Sequence, residues 1–465
     1  MKKWESFKRI IILQLAVIGV IIETVFYAIC WIEKYYPILA NRSRGLNFYF
    51  RGHVLMILIY FVLIMFFTST FGGLKVGYLK PGDIFFGHIF GILAVNVISY
   101  FQISLMGNWI VPVRHMLICS LVQIAFSGIW TILCNAFYHR VFPPRQLLFI
   151  SDDRPIDDIL YKFSTRPDKY VVKKVMNINE GMDAIKKEGL NGDYGAVVLW
   201  DIPSFERNKL LKYFYSYNVR VYMMPKIPDV LVKGSDQIHL FDTPILLTRE
   251  YALTAGQRFA KRSLDIFCSV ILAVIASPIM LITAICIKAY DRGPVFYSQV
   301  RCTRDRREFR ILKFRSMRVD AEKDGVARLA SKGDSRITPI GKFIRAVRID
   351  ELPQLFNIIK GDMSFIGPRP ERPEIIEQYM EEMPEFAFRM RVKAGLAGYA
   401  QVYGKYNTTP YDKLKLDLTY IENYSFWMDI KLMLLTLKIL IKPESTEGVD
   451  STQVTAMKTL EEEEK

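Results

Sequence analysis

Long apolar runs dominate the N-terminal part of the chain. They cover residues 10–31, 54–72, 84–105 and 116–138, and each is about as long as a helix must be to cross the hydrocarbon core of a bilayer. The first run follows a basic N-terminus but lacks the small-residue cleavage site of a signal peptide. The pattern predicts a domain of four transmembrane helices over residues 1–142.

Charge around these runs predicts their orientation. Lys and Arg collect on the cytoplasmic side of membrane proteins, and four crossings return a chain to its starting side. The basic N-terminus and the charge-rich sequence after Arg140 favour cytoplasmic ends, although the first outer loop also holds Arg42, Arg44 and Arg51. Within the first run, Glu23 either marks a function or faces a neighbouring helix as a protonated carboxyl.

Short apolar runs alternate with helical patterns over residues 143–250. Strands are predicted at residues 146–151, 171–175, 196–200 and 219–224, with helices at 157–163, 180–187 and 205–215. This alternation predicts a small doubly wound, Rossmann-like α/β domain with a parallel sheet. The sequence after the first strand lacks the glycines that hold a dinucleotide pyrophosphate, so a regulatory or dimerising module is the favoured interpretation.

A fifth apolar run, residues 265–289, is interrupted by Ser277 and Pro278. Pro278 lacks a backbone N–H and crowds the carbonyl of Val274, and the Ser277 hydroxyl can satisfy a carbonyl freed by the break. Basic residues flank both ends, which suits two ends at one anionic surface. A proline-kinked full span and a re-entrant helix hairpin are equally compatible with the segment alone.

Composition supports a membrane protein and narrows the partners. The chain has 465 residues, is 51% hydrophobic and carries a net charge of +15. No nucleic-acid-binding motif accompanies the positive charge, so nucleic acid is not an expected partner, whereas membrane lipid is. The six cysteines show no zinc or redox spacing, and all five histidines precede residue 240.

Two adjacent carboxylates, Asp350 and Glu351, stand among basic residues just before Pro353. Proline is well tolerated in a first helical turn, so the pair is predicted at the N-terminus of a helix, where the dipole favours anions. Adjacent helical residues diverge by about 100°, and the pair could therefore divide the roles of nucleophile and Mg²⁺ ligand. The alternative is that Asp350 only caps the helix and Glu351 is solvated.

Seven short motifs, one of which contains this pair, follow one another along the chain. They are Lys261–Asp265, Ser277–Pro278, Gly293–Phe296, Lys313–Met317, Asp350–Leu355, Gly361–Ser364 and Gly367–Pro370. Together they closely resemble the bacterial sugar transferase family, the monotopic polyprenyl-phosphate phosphoglycosyl transferases, over residues 257–441. The N-terminal helices and the α/β module resemble the long members, the undecaprenyl-phosphate galactose and glucose phosphotransferases.

The resemblance implies a fold and a reaction. Residues 257–445 would form a mainly α monotopic catalytic domain whose segment 265–289 is re-entrant, followed by an acidic tail at 446–465. Asp350 would attack the sugar-attached phosphorus of a UDP-sugar, release UMP, and pass the phosphosugar to polyprenyl (undecaprenyl) phosphate. Glu351 matches the Mg²⁺ ligand. Four basic positions would hold phosphates and one acidic position would lie near the site: Lys313, Arg315, Arg345, Arg369 and Asp417.

The setting implied is the bacterial inner membrane, with the catalytic domain in the cytoplasm and a homodimer as a further candidate assembly. The reaction would be the first membrane step of capsule, O-antigen or exopolysaccharide synthesis. The sequence departs from the family pattern at Ala394, Ala397 and Lys405, near the expected sugar and uridine contacts. The alternatives are a glycosyltransferase that releases UDP and an inactive scaffold of polysaccharide assembly.

Overall fold

The computed structural model describes residues 2–42, 49–152, 156–248, 250–319, 336–404 and 408–440. The chain forms two compact units, Met1–Pro225 and Lys226–Lys465. Lys405 and the predicted acidic tail lie outside the described residues. Five described helices are long and apolar enough to cross a membrane: Phe7–Asn41, Phe50–Phe71, Pro81–Gly107, Arg114–Val141 and Ala255–Asp291.

The four predicted N-terminal spans all fall within helices of the first unit. A short π-helical turn, Trp31–Tyr35, joins the first two helices into one long rod. The helices are α1 (Lys2–Cys30), α2 (Tyr36–Arg42), α3 (Phe50–Phe71), α4 (Pro81–Gly107) and α5 (Arg114–Val141).

Buried polar side chains connect these helices. Glu23 on α1 is fully buried, and its carboxylate lies 2.8 Å from Nδ1 of His88 on α4. Gln123 on α5 donates to the hydroxyl of Tyr60 on α3, and Tyr60 donates to Asn96 on α4. Glu23 therefore does face a neighbouring helix, as one of the two alternatives predicted, whereas its protonation and any functional role stay predictions. Such bonds hold helices together where no water competes.

The α/β part of the first unit contains the predicted parallel sheet, in the order β2-β1-β3-β4. Its core is formed by the fully buried inner strands, which read as continuous apolar runs because helices cover both faces. The elements are β1 (Arg145–Ser151), α6 (Asp157–Ser164), β2 (Tyr170–Asn177), α7 (Met182–Asn191), β3 (Ala196–Trp200), α8 (Ser204–Ser216) and β4 (Val221–Met223).

The second unit begins earlier than the predicted boundary at residue 250. Ile227 and Val230 are buried in the same hydrophobic cluster as Phe386, Leu414 and Leu418, which assigns residues from 226 onward to the second unit. The boundary lies after Pro225 because the apolar contacts of this segment point toward that core. Its first elements are α9 (Ile227–Lys233), β5 (Asp236–Leu240) and β6 (Thr243–Leu247).

The second unit contains one long helix, α10 (Ala255–Asp291), which continues through the predicted break at Ser277 and Pro278. One side of α10 is buried against the unit, at residues that recur with helical spacing. The other elements are β7 (Phe296–Cys302), β8 (Glu308–Phe314), α11 (Pro339–Ala346), α12 (Gln354–Lys360), β9 (Ser364–Ile366), α13 (Pro373–Glu382), β10 (Gly395–Ala397), α14 (Tyr399–Tyr403), α15 (Pro410–Glu422) and α16 (Phe426–Leu440).

Candidate active site

The carboxylate pair lies in a single 3₁₀ turn, Ile349–Glu351, directly before α12. Arg348 begins this turn with a left-handed backbone, φ 59°, which redirects the chain between α11 and α12. The sequence predicted the pair at the N-terminus of a helix, and the structure places it in the turn that precedes α12, with Pro353 immediately before the first residue of that helix. The pair still lies at the N-terminal end of a helix, as predicted.

One face of α12 is buried and the other is exposed. Leu355 and Ile358 are fully buried, whereas Phe356 is 48% exposed. The inner residues pack against Phe309 and Ile311 of β8 and against α10. Because β8 and α10 cover α12 on this side only, their contact with the helix fixes the position of the turn that carries the carboxylates.

Asn357 fastens α12 to β8, the strand that carries Lys313. Its side-chain Oδ1 accepts from the backbone N–H of Leu312 at 2.9 Å, and its Nδ2 donates to the carbonyl of Arg310 at 2.8 Å. The Asn357 side chain thereby makes hydrogen bonds to the edge of the β7–β8 hairpin like those that a third strand would make. Because Lys313 follows Leu312 in β8, these two hydrogen bonds also fix the position of Lys313 relative to the carboxylate pair.

Glu351 is surrounded by positive charge. Its Oε1 lies 3.4 Å from Nζ of Lys313, 3.5 Å from Nη2 of Arg369 and 3.8 Å from Nη1 of Arg348. Burial opposes ionisation of this carboxyl, but the charges of Lys313, Arg369 and Arg348 outweigh it and lower the pKa of Glu351 to about 2. Glu351 is therefore an anion at neutral pH.

Asp350 has a different environment. It is 9% exposed, and its Oδ1 has no hydrogen-bond partner among the described residues. Burial and the charge of Glu351 raise the pKa of Asp350 to about 6, against the lowering effect of Lys313, Arg348 and Arg345. An ionised carboxylate with such an oxygen is suited to attack an electrophile, and among the described residues no backbone N–H binds Oδ1 as a helix cap would.

Two of the predicted phosphate-binding residues join Lys313 at this site. Arg369 contacts Glu351 directly, and Arg345 at the end of α11 acts on Asp350 through its charge. The loop that carries Arg369 depends on Gly367, where a Cβ would lie 2.4 Å from the carbonyl oxygen of Lys393. The peptide bonds before Pro368 and Pro370 are trans.

Arg315 lies elsewhere, at the C-terminal end of α10. Its Nη1 donates to Asp291 at 2.6 Å and its Nε donates to the carbonyl of Pro294 at 2.7 Å. The structure therefore does not bring Arg315 to the carboxylate pair. Its side chain instead fastens the end of α10 and the Gly293–Pro294 turn to β8.

Asp417 is fully buried on α15 and forms an ion pair with Arg389, with Oδ2 and Nη2 2.9 Å apart. Burial raises the pKa of Asp417, and Arg389 opposes that rise. The same Arg389 donates to the carbonyl of Arg369 at 3.0 Å. Asp417 is thus connected to the carboxylate pair indirectly, through Arg389 and the loop that carries Arg369.

Sequence reasoning missed Arg348 and Arg389. Arg348 contacts Glu351, and its position two residues before Asp350 was a usable signal. Arg389 lies in a 3₁₀ segment, Pro384–Arg391, far from the pair in sequence, and no local pattern distinguishes it from neighbouring basic residues.

Three residues of the Lys261–Asp265 motif, near the start of α10, bind other elements of the second unit. Lys261 donates to the carbonyl of Ile366 and forms a buried ion pair with Asp429 at 2.8 Å. Arg262 donates to the last carbonyls of α12, and Asp265 accepts from the backbone of Phe365 at 2.8 Å. This motif therefore joins the apolar helix to α12, β9 and α16.

Within the described part of the chain, no three His, Cys, Asp or Glu side chains form a metal cluster. Mg²⁺ nevertheless needs only one or two protein carboxylates when substrate phosphates and water complete its shell. The ionised carboxylate of Glu351 fits that requirement. The residues present are thus compatible with Mg²⁺ once a phosphate-bearing substrate is bound.

Known proteins resemble the second unit. The bacterial sugar transferase family matches residues 256–443. A UDP-N-acetylgalactosamine-undecaprenyl-phosphate N-acetylgalactosaminephosphotransferase of Aeromonas hydrophila is 44% identical over 186 residues, which are 39% of this chain and 44% of that protein. A UDP-glucose:undecaprenyl-phosphate glucose-1-phosphate transferase of Caulobacter vibrioides is 36% identical over 190 residues, 40% of this chain and 71% of that protein.

A longer match extends beyond the catalytic unit. An undecaprenyl-phosphate galactose phosphotransferase of Salmonella typhimurium is 32% identical over 270 residues, 54% of this chain and 56% of that protein. The chain spans less than half the length of several curated relatives that it matches, the Aeromonas protein among them.

The structure thus combines helices long and apolar enough to cross a membrane with a buried carboxylate pair among basic side chains. The chain belongs to the bacterial sugar transferase family, as the sequence motifs predicted.

Proposed function

We propose that this protein transfers a hexose-1-phosphate from a UDP-sugar to polyprenyl phosphate and releases UMP. The observation that carries this proposal is the unequal carboxylate pair. Glu351 is an anion held by three cations, whereas Asp350 is buried, its pKa is raised to about 6 by burial and by Glu351, and its Oδ1 has no partner among the described residues. The names of the relatives, which are sugar phosphotransferases acting on undecaprenyl phosphate, support the same reaction.

In the first step, Asp350 attacks the phosphorus that carries the sugar. A bond forms between a carboxylate oxygen and phosphorus, and the bond from phosphorus to the bridging oxygen breaks, so that UMP leaves with the electron pair. In the second step, a phosphate oxygen of polyprenyl phosphate attacks the same phosphorus. The acyl phosphate bond then breaks, and Asp350 is restored as a carboxylate.

The surrounding cations hold the phosphates in this scheme. Lys313, Arg345 and Arg369 neutralise the charge that builds on the transferred phosphoryl group, and Arg348 keeps Glu351 ionised and in place. Mg²⁺ bound through Glu351 would supply further charge neutralisation at the phosphates. Arg315 and Asp417 serve the site by fastening α10 and the Arg369 loop.

We further propose that α10 enters the cytoplasmic leaflet of the inner membrane and returns to the same side. The two ends of α10 contact the same compact unit, Lys261 at Asp429 and Asp291 at Arg315. A full crossing would put about 30 Å of hydrocarbon between them. The Ser277 hydroxyl donates to the carbonyl of Val274 at 2.8 Å, Pro278 lies inside the continuous helix α10, and many apolar side chains of the middle of α10 are exposed.

This topology can be tested with single cysteines at the two ends of α10. Gly256→Cys and Tyr290→Cys, each in a background with Cys268 and Cys286 replaced by serine, should both react with an impermeant maleimide in inside-out vesicles and neither in right-side-out vesicles. Both introduced positions are exposed. Labelling from opposite sides would show a complete crossing and overturn the proposed topology.

The reaction class is tested by its nucleotide product. The purified full chain, given a panel of UDP-sugars and undecaprenyl phosphate, should form UMP and lipid-linked diphosphate sugar in equal amounts, because the bond broken lies between the two phosphorus atoms. Chromatography of the nucleotides separates the products. UDP in place of UMP would identify a glycosyltransferase, and no nucleotide release with any sugar would favour a scaffold. The UDP-sugar that reacts fastest identifies the donor, and with it the capsule, O-antigen or exopolysaccharide step that this protein begins.

The pH dependence of UMP release should follow Asp350. Because burial and Glu351 raise its pKa to about 6, the nucleophile is ionised above that pH, and the rate should fall about tenfold for each pH unit below it. Arg348→Asn removes a cation that favours the ionised form while retaining a residue that tolerates the left-handed backbone. The inflection of that variant should lie at higher pH. Identical profiles for both proteins would contradict the assignment.

A further inference from the structure

Five cationic side chains lie around the Gly361 turn, at the end of α12 that is remote from Asp350. Three backbone segments meet here because the Thr303 hydroxyl donates to the carbonyl of Asp362 at 2.9 Å and accepts from the N–H of Ala394 at 3.1 Å. The cations come from these segments and from α10: Arg262, Arg304, Arg307, Lys360 and Lys393.

The nearby acids do not balance this charge. Asp362 pairs with Arg307 at 3.2 Å and Lys360 at 3.3 Å. Asp305 pairs with Arg304 at 3.0 Å. Asp265 influences Lys393 through its charge but already accepts hydrogen bonds from Ser364 and Phe365. Five cations face three carboxylates, and each carboxylate is engaged by other groups.

Lys393 carries the uncompensated charge. It is partly buried, and its amine has no hydrogen bond or ion pair with any residue that the structure describes. A Cβ placed on Gly361 would lie 3.7 Å from Nζ of Lys393 and 3.5 Å from Nη2 of Arg262, so these two nitrogens are no more than about 7 Å apart. Burial and the charge of Arg262 lower the pKa of Lys393. An anion between the two cations would relieve their repulsion.

We propose that Lys393 and Arg262 form a phosphate-binding site at the Gly361 turn, separate from the carboxylate pair. A phosphate group can bridge two nitrogens no more than about 7 Å apart, because guanidinium and ammonium groups bind phosphate oxygens with charge-assisted hydrogen bonds. Arg262 donates one N–H from Nη1 and one from Nη2 to the carbonyls of Ile358 and Ile359, and its remaining N–H groups can bind the phosphate. The seven residues of α12, about 10 Å of helix, separate this turn from Asp350.

The position of the site suggests the source of the phosphate. Arg262 lies on α10 one turn before Ile266 and Phe267, which are apolar and exposed. If α10 enters the membrane as proposed above, the site lies at the level of the lipid headgroups, where anionic phospholipids meet basic side chains. The inference depends on the proposed function only for the position of this site at the membrane surface.

The test measures binding of two phosphate probes to the full chain. Phosphatidylglycerol retained by the detergent-purified protein is titrated by native mass spectrometry, and inorganic phosphate is titrated as a soluble competitor. Lys393→Gln should bind about tenfold more weakly, as expected for one lost charge-assisted contact. Lys393→Arg should retain binding, and Lys187→Gln, an exposed lysine of the α/β module, should match the unaltered protein.

Each outcome has a defined meaning. Weaker binding of the lipid identifies a headgroup as the ligand, and weaker binding of inorganic phosphate alone identifies a soluble anion; both support the site. Equal affinity of Lys393→Gln and the unaltered protein for both probes overturns it, provided that their melting temperatures agree. UMP release, measured on the same samples, reports separately on the proposed reaction.

Discussion

Replacement of Asp350 by asparagine is expected to abolish UMP release, by roughly 10⁴-fold or more, as for other enzymes that lose their nucleophile. The amide has nearly the same shape but cannot form an acyl phosphate. Because Asp350 is buried with an unpartnered oxygen and a raised pKa, its neutral replacement should fold as well as the unaltered protein. Loss of activity with an unchanged melting temperature is therefore the expected combination.

The matched control is Asp193→Asn, an exposed carboxyl of the α/β module. This variant makes the same chemical change away from the site and should retain full activity. UMP release by Asp350→Asn at more than a tenth of the normal rate would remove Asp350 from the role of nucleophile. Glu351 would then be the first residue to examine, since it is the other carboxylate of the pair.

Replacement of Lys261 by methionine should cause the largest loss of stability. The Lys261 amine is buried and binds the carbonyl of Ile366, the hydroxyl of Tyr420 and the carboxylate of Asp429. Removal of one partner leaves a buried charge without compensation, which costs about 3–5 kcal/mol of the free energy of unfolding. Urea denaturation of the purified protein, followed by tryptophan fluorescence, measures the change.

A double variant distinguishes the effect of the unpaired buried charge from the effect of lost side-chain volume. Lys261→Met combined with Asp429→Asn removes the stranded charge, and the double variant should be more stable than Lys261→Met alone. Lys187→Met, at an exposed position, should change stability by less than about 0.5 kcal/mol. A double variant no more stable than the single one would show that Asp429 is not the residue that destabilises the protein.

The sequence predicted those structural features that depend on residues close together in the chain. The four apolar runs and the four strands appear at nearly the predicted residues because length and periodicity depend only on neighbours in the chain. The carboxylate pair was found for the same reason, since Asp350, Glu351 and Pro353 are adjacent. The family motifs then supplied Lys313 and Arg369, two cations that contact or influence the pair.

Other features depended on contacts between distant segments. Arg315 was predicted to bind phosphate, yet its guanidinium is bound to Asp291, a pairing that no local pattern encodes. The burial of Leu355 and the exposure of Phe356 are set by β8 and α10. The role of Arg389, which joins Asp417 to the Arg369 loop, likewise depends on three-dimensional proximity alone.

The central claim is that the phosphosugar is held covalently on Asp350 between the two half-reactions. The most direct measurement uses a UDP-sugar with a radiolabel in the sugar-bearing phosphate, incubated with the full chain in the absence of polyprenyl phosphate. The account predicts one equivalent of UMP and one equivalent of label on the peptide that contains Asp350, and the label should leave when polyprenyl phosphate is added. Label on another residue, or UMP formed only when acceptor is present and without labelled protein, would contradict the account.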